Sequence, residues 1–90
     1  MYSKRTIIIN EHGLHARPGA NLAIKAKEFN SKITIKKIGV EKNPATAKSV
    51  IALMSLGLTK GNEVEITAVG DDEIEAVKAL ISFIDLGCGE

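Results

Sequence analysis

The 90-residue sequence has no tryptophan, one tyrosine and two phenylalanines. The hydrophobic core must therefore be aliphatic, and the aromatic platforms on which single-stranded nucleic acid stacks are missing. There is one cysteine, Cys88, and two prolines. A lone cysteine excludes an internal disulfide framework and a cysteine metal cluster. It fits a reducing compartment. The formal net charge is only +1, so no global field attracts nucleic acid or acidic lipid. No apolar run approaches the length of a membrane span. The first residues, MYSKRTIII, lack the apolar region and cleavage site of a signal peptide, and the expected location is the cytoplasm. No P-loop, dinucleotide fingerprint or paired-carboxylate site is visible.

Hydrophobic residues make up 44% of the chain and charged residues 26%, values ordinary for a globular protein. The length suits one domain spanning residues 1–90 and a modest core without a deep, enclosed active site. Residues 4–10 (KRTIIIN) read as a β-branched strand followed by turn formers. Residues 16–29 read as a helix with Leu22, Ala23, Ala26 and Phe29 on one face. Residues 32–38 (KITIKKI) alternate, with Ile33 and Ile35 on one side and Thr34 and Lys36 on the other. Residues 40–42 suit a short return strand broken by Asn43-Pro44.

Ser49 to Leu56 reads as a short helix with Val50, Leu53 and Met54 as its face and Gly57 as its stop. Residues 63–69 (EVEITAV) alternate cleanly. Asp71 or Asp72 caps a last helix with the stripe Ile74, Val77, Leu80, Ile81 and Ile84, and Gly87 stops it. Residues 86–90, with Cys88, read as a loose end. The fold class is α+β: an open-faced β-sandwich of order β-α-β-β-α-β-α. Its four-stranded, mainly antiparallel sheet is covered on one face by three helices.

The chemistry concentrates in residues 11–19, EHGLHARPG. His15 falls where the first strand has ended and the first helix begins. The leading N–H groups of a helix lack intrahelical partners and attract anions. Arg17 adds a guanidinium, a bidentate partner for phosphate oxygens. Pro18 lies in the first turn, where its missing N–H costs little. Gly13 allows close approach of the chain. Histidine suits reversible phosphoryl capture, because an ordinary pKa of about 6.5 leaves a neutral nitrogen available. The helix end and Arg17 would disfavour the imidazolium further by like-charge repulsion. His12 and His15 form an H-x-x-H pair, but two ligands without a third make a poor zinc site, and no metal or cofactor is expected.

The run GLHARP, residues 13–18, resembles the active-site motif of the histidine-containing phosphocarrier (HPr) family of the bacterial sugar phosphotransferase system. A second block, KSVIALMSLGLTKGNEVEI at residues 48–66, is similar to that family's regulatory-serine helix and following strand. The resemblance implies that His15 accepts a phosphoryl group through Nδ1 from phosphorylated enzyme I and donates it to IIA components of sugar transporters. Arg17 would assist, with Ala16 and Arg17 binding the phosphate. The chain would be a phosphoryl-transfer intermediate and a monomer, not a stand-alone catalyst. Ser49 matches a serine phosphorylated by an ATP-dependent kinase, which adds HPr kinase/phosphorylase and a transcriptional regulator to the implied partners. The implied partner surface combines Ala20, Ile24 and Lys27 with Val50, Ile51 and Met54.

Three features depart from the family pattern. Gly19 stands where alanine is usual, residues 39–49 are longer than typical, and His12 replaces a small polar residue. Two other readings stay open. The run Arg17-Pro18-Gly19 followed by Asn21-Leu22 also resembles the strand-to-helix turn of amino-acid-binding ACT domains, and a regulatory relative tied to nitrogen control would share the His15 chemistry.

Overall fold

The computed structural model describes residues 1–14, 16–41 and 43–89; His15, Lys42 and Glu90 lie outside the described residues. The element order is β1 (Tyr2–Ile7), α1 (Ala16–Ala26), β2 (Lys32–Lys37), β3 (Ala45–Thr46), α2 (Val50–Ser55), β4 (Glu63–Val69) and α3 (Glu73–Asp85). The four strands form one sheet in the order β1-β4-β2-β3, and every neighbouring pair is antiparallel. This is the expected open-faced architecture, with the three helices on one side.

Alternation explains the two faces. Ile33 and Ile35 of β2 and Val64, Ile66 and Ala68 of β4 are buried beneath the helices. The residues between them face the open side, where Ser3 and Thr67 share a hydroxyl hydrogen bond of 2.9 Å. On that same side the Arg5 guanidinium lies 3.5 Å from the Glu65 carboxylate. Lys36 stands opposite Glu65 on the next strand. The helices contribute Leu22, Ala23 and Ala26 from α1, Leu53 from α2, and Ala76, Val77, Leu80 and Ile84 from α3. α3 packs on β1 and β4, and α1 packs on α2 and α3.

Several boundaries differ from the sequence reading. β1 starts at Tyr2 and ends at Ile7, because its partner β4 ends opposite it at Glu63. Ile8 then bonds the preceding turn instead, donating to Asn62 O at 3.0 Å and accepting from Gly61 N at 2.8 Å. α1 stops at Ala26, and residues 27–29 follow as a turn that leaves Phe29 half-buried.

The return strand is not at residues 40–42, of which Lys42 lies outside the described residues. It lies after Pro44, where Ala45 and Thr46 pair with Ile35 and Thr34. Proline is tolerated just before a strand because no ladder donor is lost there. Small, buried Ala45 and Ala47 let this edge lie close to β2.

In α3, Ile74 is 49% exposed and Ile81 half-buried, while Ala76 takes the buried position. At about 100° per residue the centre of the inward face runs through residues 76, 77, 80 and 84, so residues 74 and 81 fall on its flank. Asp72 is the N-cap residue, yet its side chain does not cap the helix. It accepts instead from Asn30 N at 2.8 Å, Ser31 N at 2.9 Å and the Ser31 hydroxyl.

The C-terminal segment is not a loose end. Gly87 N donates to Ile84 O at 3.0 Å and Cys88 N to Phe83 O at 2.9 Å, the paired bonds of a Schellman stop. Gly87 has φ +89°, as that motif requires. Cys88 is fully buried and belongs to the core.

Candidate functional site

The loop into α1 is fixed on both sides of Gly13. Gly13 N donates to Asn10 O at 2.9 Å, closing a four-residue turn, and Leu14 N donates to Leu58 O at 3.1 Å. Gly13 has φ +70°, and a Cβ there would fall 2.2 Å from Leu58 O and 2.8 Å from Thr59 Cα. Only glycine fits such an approach of two backbones. Leu14 is buried and pins the loop to the core. His12 is exposed in the turn.

α1 begins at Ala16, and Ala16 and Arg17 are both exposed. Its first turn carries no acidic side chain. The leading N–H groups and the Arg17 cation therefore favour an anion, with no carboxylate on that turn to oppose them. Pro18 occupies the third helical position, where no intrahelical bond is lost, and its ring is buried. His15, the residue on which the sequence reading hangs, lies outside the described residues, so the site is described by what flanks it.

α2 runs beside this helix. Met54 Cγ stands 3.8 Å from the point a Cβ on Gly19 would occupy. Ser49 caps α2, its hydroxyl accepting from Ala52 N at 3.2 Å. The remaining predicted surface residues divide by exposure. Ile51 is 83% exposed, Ile24 61% and Met54 45%, with Lys27 also exposed. Ala20 and Val50 are half-buried. Leu53 alone of α2 is fully buried, which places Ile51 and Met54 outside the core. A shallow groove of approximately 420 Å³ beside α1 is lined by Asn21, Ile24, Lys25, Glu28, Phe83 and Gly89, and shares Ile24 with that predicted surface.

Two asparagines to which the sequence reading gave no part in the His15 site tie this region to the C-terminal turn. The Asn10 amide, which is buried, donates to Gly87 O at 2.8 Å, and the Asn21 amide donates to Cys88 O at 2.9 Å. The bonds span 77 and 67 positions, and neither leaves a signal in periodicity or motif. Among the described residues, no three His, Cys, Asp or Glu side chains gather to hold a metal. No described helix is long and apolar enough to cross a membrane.

Residues 2–85 match the family described as the "PTS HPr component phosphorylation site". The chain belongs to the HPr family. It is 44% identical over 84 residues to the phosphocarrier protein HPr of Haemophilus influenzae, covering 93% of this chain and 95% of that one. It is also 41% identical over 88 residues to the multiphosphoryl transfer protein of Salmonella typhimurium, but spans only 23% of that longer relative. The crystal structure of an HPr from Thermoanaerobacter tengcongensis superposes with a TM-score of 0.91 at 42% identity, covering 100% of this chain and 98% of that one.

Family membership leaves the departures from the usual HPr pattern to be explained. The space at Gly19 would accept a methyl group at ordinary contact distance, 3.8 Å from Met54 and 3.9 Å from Leu14 O. Among the described residues, packing does not require glycine there. Residues 39–41 and 43–44, ahead of β3, are exposed.

Proposed function

We propose that this chain is a phosphocarrier of the phosphoenolpyruvate-dependent sugar phosphotransferase system, acting as a single HPr domain over residues 1–90. His15 takes a phosphoryl group from the phosphohistidine of enzyme I and passes it to a IIA component. In the first transfer a new N–P bond forms at His15 Nδ1 as the N–P bond on enzyme I breaks. In the second the N–P bond at His15 breaks as a new bond to phosphorus forms on the acceptor side chain of the IIA component. The chain is an intermediate in phosphoryl transfer, and its work is positioning and charge stabilisation.

The observation that carries this reading is the start of α1. Helix α1 begins at Ala16, directly after the histidine of the GLHARP motif, with Arg17 exposed in a first turn that carries no acidic residue, and a helix start of that kind favours a bound anion. Interactions at a helix end are worth about 0.3–2 kcal/mol, enough to hold a phosphate without trapping it. Exposed Ile24, Ile51 and Met54, flanked by Ala20, Lys27 and Val50, supply an apolar surface on which enzyme I and IIA domains dock in turn. The protein works in the cytoplasm as a monomer.

Ser49 is the second site of modification. Its hydroxyl sits at the N-cap of α2, where an added phosphate meets the helix's free donors. The same charge would stand beside the apolar docking surface and weaken its use by enzyme I. Likeness to the HPr family extends this reading to an ATP-dependent kinase that modifies Ser49 and a transcriptional regulator that reads it. Incubation with phosphoenolpyruvate and enzyme I should add one acid-labile phosphoryl group by mass. His15→Ala should remain unmodified, and uptake by that variant would refute the assignment.

A further inference from the structure

α3 ends in three consecutive residues with left-handed backbone: Gly87 at φ +89°, Cys88 at φ +54° and Gly89 at φ +80°. Cys88 is the only non-glycine with positive φ among the described residues. Such a conformation costs an L-residue roughly 1–2 kcal/mol and persists only where its surroundings enforce it. Here they do. The Cys88 side chain is fully buried, and the Gly87 and Cys88 carbonyls accept from Asn10 and Asn21.

Asn10 has two roles at once. Its backbone carbonyl accepts from Gly13 N, and its side-chain amide reaches the C-terminal turn. The amide cannot be turned over, because that would set Oδ1 against the Gly87 carbonyl. Its Oδ1 is buried with no donor among the described residues. A buried, half-satisfied amide is a costly way to fill space. Asn21 ties the same turn to α1, in the second turn of the helix that the GLHARP loop enters.

We propose that the C-terminal turn is a strut for the phosphorylation loop and that Asn10 and Asn21 are positioning residues for phosphoryl transfer. Asn10 fixes the loop before His15, Asn21 fixes the helix after it, and both bear on one rigid turn. The loop and α1 are thereby held at a set distance from each other. Displacing a reacting group by about 1 Å is enough to cost up to a hundredfold in rate. The proposal rests on His15 being the phosphoryl acceptor.

The test compares Asn10→Ala, Asn21→Ala and Asp72→Asn with the parent chain. The last cuts a latch at the far end of α1 and serves as the control for lost stability alone. Phosphorylation by phospho-enzyme I should slow about tenfold or more in Asn10→Ala and Asn21→Ala, and stay at the parent rate in Asp72→Asn. The amide of Gly13 should exchange faster, and the His15 imidazole should titrate at a shifted pH, in the first two only. If both asparagine variants keep the parent rate, Gly13 exchange and imidazole titration, the turn is packing and the proposal is overturned. If the parent chain takes no phosphoryl group, the functional reading fails. Gly13 exchange and the imidazole titration then still decide whether the turn holds the loop. Should Asn10→Ala not fold, Asn21→Ala carries the same readouts.

Discussion

The two ends of α1 are held in opposite ways. At its start, the restraints are neutral: Gly13 on Asn10, Leu14 on Leu58, and the Asn10 and Asn21 amides on carbonyls of the C-terminal turn. Past its end, about 16 Å away, the restraints are charged. Asp72 accepts from Asn30 and from the Ser31 backbone and hydroxyl, and the Lys48 ammonium donates to Phe29 O at 2.7 Å. On the proposed function, a carboxylate latch beside the phosphate would repel it; amides hold the end where that anion would sit, and the carboxylate latch lies at the other end. Neutral latches also do not titrate, so on the proposed function the loop at Gly13 would keep its restraints while a phosphate and an imidazole beside it changed charge.

The largest effect should come from disturbing the neutral end. Gly13→Ala must accommodate both a positive φ and a Cβ driven into Leu58 O and Thr59 Cα. A loss of about 3 kcal/mol or more is expected in urea denaturation, with the phosphorylation loop displaced. A variant as stable as the parent would show that the two backbones are not fixed in contact.

Acid should act at the opposite end. The Asp72 pKa lies below the ordinary 3.8, first because of the Ser31 hydroxyl and then because of the Asn30 N–H. The folded value is depressed, so the stabilisation is present above the unfolded value and disappears as pH falls through the folded one. Thermal midpoints measured from pH 7 downward should therefore fall more steeply below about pH 4 in the parent than in Asp72→Asn. Parallel acid limbs in the two proteins would remove Asp72 from the acid response.

The smallest change should be a gain. Gly19→Ala places a methyl group in ordinary contact with Met54 and Leu14 and lowers the backbone freedom of the unfolded chain. It should stabilise the protein by about 0.5–1 kcal/mol in the same urea assay. A destabilised variant would mean that α1 and α2 approach more closely at this point than ordinary contact.

The architecture was readable from the sequence because long patterned segments carry it. β2 and β4 alternate, and α1 repeats its apolar face at helical spacing, so both faces of the sheet follow. β3 could not be read, since a two-residue strand has no alternation, and Pro44, taken as a breaker, stands just before it. Ser49 was legible because capping is local: a serine ahead of an apolar run. The C-terminal turn was not, because a glycine that ends a helix announces the stop and says nothing of what the next residues touch. The turn that buries Cys88 is held by bonds from Asn10 to Gly87 O and from Asn21 to Cys88 O, which join distant parts of the chain. The GLHARP motif named His15 and Arg17, but which residues hold that motif in place depends on tertiary contacts alone.

Phosphorus NMR of the chain with phosphoenolpyruvate and catalytic enzyme I, with the imidazole nitrogens labelled, would report on His15 itself. One phosphoramidate signal coupled to Nδ1 of His15 should appear, vanish on acidification and be absent from His15→Ala. A phosphate signal on any other residue, or an undiminished signal in His15→Ala, would contradict the phosphocarrier assignment.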